Sequence, residues 1–215
     1  MFGTDMLTFQ EFMMQERLPL ATIQNAILHF LRNRDDVVVF GAQAVNAYVG
    51  EPRMTQDIDL LSPRAEEFAE ELRTYLSQQF HIAVRIRKVN AGRGYRLYQV
   101  QKSGNRHLVD LRAVKKLPKA QRIEQVLIMA PAELIASKVV SYAQRRGKPK
   151  AGTDWRDVAM LLLKFPELKS DTSAVMDSLV AAGASPAVIA VWQEIVATEI
   201  EGDDDDDDEF WQNED

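Results

Sequence analysis

Asp57 and Asp59, two acids separated by one residue, are the part of this chain best suited to chemistry. Upstream, Gly41 directly follows the apolar run Val37-Val38-Val39-Phe40, and downstream a third acid, Asp110, stands between Val109 and Leu111. Side chains alternate along an extended segment, so Asp57 and Asp59 share one face while Ile58 and Leu60 share the other. An acid at position 110, mid-strand, is costly unless it meets a cation. Hard divalent ions take oxygen ligands and bridge a few carboxylates to substrate phosphates. Two such ions can stabilise both the attacking and the leaving oxygen of a phosphoryl or nucleotidyl transfer. A glycine that ends a strand and opens a helix offers backbone N–H groups to a phosphate with no side chain in the way. Without a metal, Asp57 and Asp59 would be solvated acids at a strand end, and Asp110 a partner for Arg112 or Arg85.

These residues need particular elements to position them. Residues 8–33 read as two helical pieces broken near Pro19, with Ile23, Ala26, Ile27 and Phe30 at helical spacing. Val37 to Phe40 is a short β-branched run, hence a buried strand, and Ala42 to Val49 has the composition of a short helix. Gln56 to Leu61 is a second strand. Ser62-Pro63 then reads as a helix start, with Phe68, Leu72, Tyr75 and Leu76 as its apolar stripe. His81 to Val89, Tyr95 to Gln101 and His107 to Val114 read as strands, and Gln125 to Met129 as a short apolar run. From Pro131 the pattern turns helical. One helix runs to Arg146, a second is capped by Thr153 and reaches about Lys164, and weaker ones fall near 171–182 and 186–200. Strands before helices indicate an α+β fold: a core over 1–130, a helical part over 131–200 and an acidic tail over 201–215.

Composition sets the remaining bounds. The 215 residues contain no cysteine, which excludes a disulfide framework, a thiolate zinc site and a cysteine nucleophile. No apolar run approaches the roughly 20 residues needed to span a bilayer, and Met1 to Asp5 lack the pattern of a signal peptide, so a cytoplasmic protein with no membrane role is expected. The formal net charge is −6, yet residues 201–215 hold ten acids and no Lys or Arg. The other 200 residues carry a balance of +4, so a polyanionic substrate would meet a mildly basic body. The tail has too few apolar residues to fold alone, although Phe210 and Trp211 would allow it to dock over a basic cleft.

Two segments carry a likeness to a known family: Val38-Val39-Phe40-Gly41-Ala42-Gln43-Ala44, and Arg53-Met54-Thr55-Gln56-Asp57-Ile58-Asp59-Leu60. Together they resemble the polymerase β-like nucleotidyltransferase superfamily, and within it the AbiEii-type branch. The order continues with Asp110, with Lys138 in Leu134-Ile135-Ala136-Ser137-Lys138, and with Asp154-Trp155-Arg156-Asp157, over roughly residues 35–165. The resemblance implies a minimal nucleotidyltransferase fold, a mixed sheet with flanking helices. It further implies two magnesium ions held by Asp57, Asp59 and Asp110, the last also activating the acceptor. Gly41, Ala42, Gln43, Arg53, Thr55, Lys138, Asp154 and Asp157 would contact the nucleoside triphosphate, Lys138 by neutralising phosphate charge. The implied acceptor is a hydroxyl, at a tRNA 3′ end or on a protein side chain, and some relatives work with an antitoxin-like partner. Ala42 departs from the superfamily's usual Gly-Ser, removing a hydroxyl from the phosphate site. A module that binds nucleotide or a partner without turnover is therefore the competing reading.

Other features have plainer explanations. Asp154 and Asp157 suit the first turn of a helix capped by Thr153. The basic loop Arg145-Arg146-Gly147-Lys148-Pro149-Lys150 reads equally as solvated surface. Arg85, Arg87, Arg93 and Arg96, interleaved with Tyr95 and Tyr98, form a second basic region that would suit a polynucleotide or simply coat an outer sheet face. His29, His81 and His107 show no ligand spacing and read as structural.

Overall fold

A computed structural model describes residues 18–102 and 104–202. The helical piece expected before Pro19 and the acidic tail beyond Gly202 lie outside the described residues. The described chain divides after Ala130 into two compact units.

The first unit opens with α1, Leu20–Leu31, whose Ile23, Ile27 and Leu31 are buried one turn apart. Strand β1, Val38–Phe40, leads directly into α2, Gly41–Tyr48. Strand β2 spans Ile58–Ser62 and α3 spans Ala65–Phe80. Three strands follow: β3, Val84–Val89, β4, Gly94–Gln99, and β5, Arg106–Ala113. The unit closes on the hairpin of β6, Ala120–Ile123, and β7, Val126–Met129. Together the strands form one sheet in the order β3-β4-β5-β2-β1-β7-β6. It is mixed: β2 pairs β5 in parallel and β1 pairs β7 in parallel, while the other pairs are antiparallel.

Alternation fixes what each face of this sheet does. Val39, Ile58, Leu60, Leu97, Val109 and Leu111 are fully buried and form the core. From α3, Phe68, Leu72 and Leu76 are equally enclosed, and Phe30 of α1 stacks on Tyr75 with ring centroids 4.8 Å apart. Ion pairs bind α3 to the approach of β1: Arg34 and Arg64 each reach both Asp36 and Glu71, at 2.7–2.8 Å. The Arg34 guanidinium holds the Asp36 carboxyl below its ordinary value, so this network persists well into acid.

Several boundaries move from the sequence reading. Helix α3 begins at Ala65, because Ser62 is the last residue of β2 and not a cap: its hydroxyl donates to the Asp36 carbonyl and accepts from the Arg64 N–H. Strand β6 was not expected. Its residues are half-buried or exposed, so it has no apolar run to announce it, and only pairing with β7 defines it.

The second unit contains α4, Pro131–Arg145, α5, Lys150–Lys164, α6, Ala174–Ala181, and α7, Pro186–Ala197. Its core is Leu134, Ile135 and Val139 of α4, Val158 and Leu161 of α5, and Trp192 of α7. Helix α5 starts at Lys150, a turn before Thr153, so Asp154 and Asp157 lie inside it and not in its first turn. The helix-dipole explanation for those acids therefore fails.

Candidate active site

Gly41 fixes the geometry from which the rest of the site follows. Its φ is +70°, a conformation that favours glycine. A Cβ built there would lie 2.0 Å from Oδ2 of Asp59 and 2.7 Å from its Cγ. The carboxylate of Asp59 thus occupies the space that any other residue at 41 would fill. The glycine serves two purposes, the turn from β1 into α2 and the close approach of an acid to the start of that helix.

Strand register supplies the second acid. Asp59 and Asp110 are direct partners in the parallel β2–β5 pair, and Phe40 faces Asp59 from the other side. Asp57 lies two residues before Asp59, immediately ahead of β2, on the face opposite the core residues Ile58 and Leu60. The approach to β2 is tied down locally. Asn46 exchanges hydrogen bonds with the backbone of Arg53 at 2.8 and 3.0 Å, and Gln24 donates to the Thr55 carbonyl. The Thr55 hydroxyl donates to the Asp57 carbonyl at 2.9 Å. Thr55 therefore holds the backbone that carries Asp57.

The carboxylates are matched by cations. Asp110 lies 3.4 Å from Nε of Arg96, its direct neighbour on β4. Arg96, and not the Arg112 or Arg85 considered from the sequence, is the ion-pair partner. That contact is chiefly electrostatic: the buried Nε makes no well-aligned hydrogen bond among the described residues, and the charge of Asp110 is the largest influence raising the guanidinium. Arg112 lies over the Phe40 ring, 4.8 Å from its centroid.

His107 is the residue that sequence reasoning missed. Its Nδ1 is 2.9 Å from Oδ2 of Asp57 and its Nε2 is 3.1 Å from the Val109 carbonyl. A carbonyl can only accept, so Nε2 carries a proton, and the carboxylate favours a second one on Nδ1. The hydrogen bond to Asp57 raises the imidazole above its ordinary value, against the opposing effect of burial. A register shift between Leu97 and Tyr98 explains the placement. Arg96 pairs with Asp110 but Tyr98 pairs with His107, so β5 carries one extra residue there. Simple alternation would put His107 on the core side with Val109. The bulge turns it to the acid side, where it stacks on Tyr98 with centroids 4.9 Å apart.

Three oxygen donors on one face suit a hard divalent cation in chemistry and topology. They are not pre-assembled as a ligand set: among the described residues no three His, Asp or Glu groups converge on one point. Asp57 is turned to His107 and Asp110 to Arg96, so a cation would exchange with these partners.

The remaining predicted residues fall in two places. Ala42 is buried and Gln43 half-buried at the start of α2, beside Asp59. Lys138, Asp154 and Asp157 belong to the second unit. There Lys138 donates to Asp157 at 2.7 Å with both side chains buried, and Arg145 donates to Asp154 at 2.7 Å.

No curated protein matches the chain. Among solved structures, the Megavirus polyadenylate synthase aligns with a TM-score of 0.57 at 15% identity, over 71% of this chain. This chain spans 33% of that enzyme's length. An antigenic nucleotidyltransferase-like protein from Paracoccidioides brasiliensis aligns at TM-score 0.46 and 19% identity, over 85% of this chain and 94% of its own. JHP933 from Helicobacter pylori aligns at 0.48 and 12%, over 82% and 88%. At these identities the Megavirus match shows a shared fold and nothing more. The model of the family described as "Nucleotidyl transferase AbiEii toxin, Type IV TA system" matches residues 29–212. With most of its length matched, the chain belongs to the AbiEii family and is a nucleotidyltransferase.

Proposed function

We propose that this chain moves a nucleoside monophosphate from a nucleoside triphosphate to a hydroxyl acceptor, at a tRNA 3′ end or on a protein side chain, and that it needs magnesium to do so. The observation that carries this reading is the pairing of Asp59 with Asp110, with the Asp59 carboxylate packed where a Cβ of residue 41 would lie. Asp57, Asp59 and Asp110 would hold two magnesium ions, which when bound supply Lewis-acid stabilisation of phosphate charge. Backbone N–H groups of Gly41, Ala42 and Gln43 receive phosphate oxygens at the opening of α2. Arg53 and Thr55 border the nucleotide from the segment before β2. Lys138 neutralises phosphate charge, in a helical unit that Asp154 and Asp157 help to order.

Asp110 takes the proton of the acceptor hydroxyl. The acceptor oxygen then forms a bond to the α-phosphorus, and the bond from that phosphorus to the β-phosphate's bridging oxygen breaks, releasing pyrophosphate with the electron pair. In the domain scheme proposed here, residues 1–130 carry this chemistry and residues 131–200 support it. The family's description supports an antitoxin as the counteracting partner. The cytoplasm is the compartment that supplies both triphosphate and tRNA. Among the described residues no helix is long and apolar enough to cross a membrane.

Ala42 favours a second reading, a module that binds nucleotide without transfer, because the superfamily's usual hydroxyl is missing at this position. Incubation with each labelled triphosphate, magnesium and either total tRNA or cell lysate separates the two. Transfer of label that falls about 10²–10⁴-fold in Asp110→Asn and to background in Asp57→Ala supports the enzyme. Nucleotide binding with no transfer in any mixture, unchanged by Ala42→Ser, supports the module.

A further inference from the structure

The face of the sheet that bears the acids runs on, strand by strand, into a row of cations. Asp59 pairs with Asp110, Asp110 with Arg96, and Arg96 with Arg87. Partners on neighbouring strands point to the same face, and each step is about 4.8 Å, so Arg87 stands about 14 Å from Asp59. The adjacent row runs from His107 through Tyr98 to Arg85. Arg85 and Arg87 are exposed, and among the described residues neither guanidinium has a hydrogen-bond or ion-pair partner.

Charge on an edge strand commonly serves to prevent edge-to-edge pairing, and β3 is an edge strand. That purpose does not depend on which face the charge occupies. On β3 the two faces differ. Lys88 points to the opposite, α3-covered side, where it pairs with Glu66 and lies over the Tyr95 ring. The charges on the acid-bearing side are left available. The register also separates the two tyrosines of the hairpin: Tyr95 is buried against Glu66, whereas Tyr98 stacks on His107 beside Asp57. A face with spaced guanidinium groups, an aromatic platform and acids at its inner end has the chemistry of a single-stranded polynucleotide site. A protein hydroxyl acceptor presents no repeated anion to match such a row.

We infer that the β3–β4 face is the acceptor track of this enzyme and that its acceptor is a single-stranded polynucleotide end. Arg85 and Arg87 hold the backbone phosphates, Tyr98 with His107 receives a base, and the terminal hydroxyl reaches the acids. The inference rests on the transferase reading above and chooses between its two acceptors.

The test measures binding of a short, labelled, single-stranded RNA of mixed sequence to the full chain by fluorescence anisotropy across a salt series. Magnesium–nucleotide binding is followed separately by calorimetry. For Arg85→Gln/Arg87→Gln, the Kd for RNA rises about tenfold and the slope of log K against log salt becomes shallower by about 1.4, two phosphate contacts' worth. Its thermal melt and nucleotide binding match the wild type. RNA affinity and salt slope equal to wild type in this variant overturn the track. So does label transfer that goes to lysate protein and leaves RNA unlabelled. Asp59→Asn keeps the two readings apart. Loss of nucleotide binding there, with loss of RNA binding only in the arginine variant, supports both. Retention of nucleotide binding by Asp59→Asn overturns the site assignment while the arginine result still decides the track.

Discussion

At the scale of single residues, His107 shows how one hydrogen bond sets both the charge and the aim of a functional acid. The imidazole is held between the Asp57 carboxylate and the Val109 carbonyl, with side-chain exposures of 27% for His107 and 32% for Asp57. A group whose folded pKa lies above its unfolded value stabilises the fold fully below the unfolded value, here about 6.5. That contribution is lost as pH rises through the raised folded value. Metal-free protein is therefore expected to lose stability between pH 6 and pH 8 by about 1 kcal/mol, the scale of a partly exposed pair. Urea melts at the two pH values should show this decline in the wild type and its absence in His107→Gln. An equal decline in both proteins would remove the pair from the account. Gly41 belongs at this scale too. A side chain at 41 would both strain the backbone and displace the Asp59 carboxylate, so this position is fixed by the acid as much as by the turn.

At the scale of elements, what the sequence makes legible depends on how strongly local pattern agrees with packing. The run at Val37 to Phe40, the alternation through Asp57-Ile58-Asp59-Leu60 and the apolar stripe of α3 all have cores to fill, and each appears with its strand or helix bounds within about three residues of the reading. Strand β6 has no such stripe because it is an edge covered by little, and its partner β7 supplies the information. The bulge that turns His107 to the acids is a register event between two strands, invisible to a one-dimensional alternation rule. Ser62-Pro63 looks like a helix start, yet its hydroxyl holds the turn between β2 and α3. Lys138 illustrates a different limit. The sequence sets it beside Leu134, Ile135 and Val139, but only the fold pairs it with Asp157, which is fully enclosed. Removing one member of a buried pair leaves the other charge uncompensated, at a cost of about 3–5 kcal/mol. Lys138→Met should lower stability by that amount, and Lys138→Met/Asp157→Leu should recover most of it. Chemical denaturation gives the first comparison and nucleotide transfer the second. If Lys138 also neutralises phosphate, the stable double variant remains inactive, whereas recovery of activity with stability would confine the lysine to a structural role.

At the scale of the whole molecule, charge is divided along the chain in a way the net value of −6 conceals. Removing residues 203–215 removes nine acids and no base, which changes the formal net charge to +3. A polyanionic acceptor approaching the Arg85 and Arg87 face responds to the summed field of the molecule, and acids tethered to the same chain weaken that attraction. A chain ending at Gly202 should therefore bind single-stranded RNA several-fold more tightly than the full chain at low salt. The gain should fade as salt is raised toward 1 M, where the Debye length falls to about 3 Å. Anisotropy titrations of both chains across the salt series check this. The same pair of titrations separates a general field effect from competition for the track. A field effect survives in Arg85→Gln/Arg87→Gln, because the tail repels RNA whichever cations receive it. Competition for those two arginines disappears with them, and truncation of the double variant then changes little. Equal affinity of the full and shortened wild-type chains at every salt concentration would show that the acids at the C-terminal end have no part in acceptor binding.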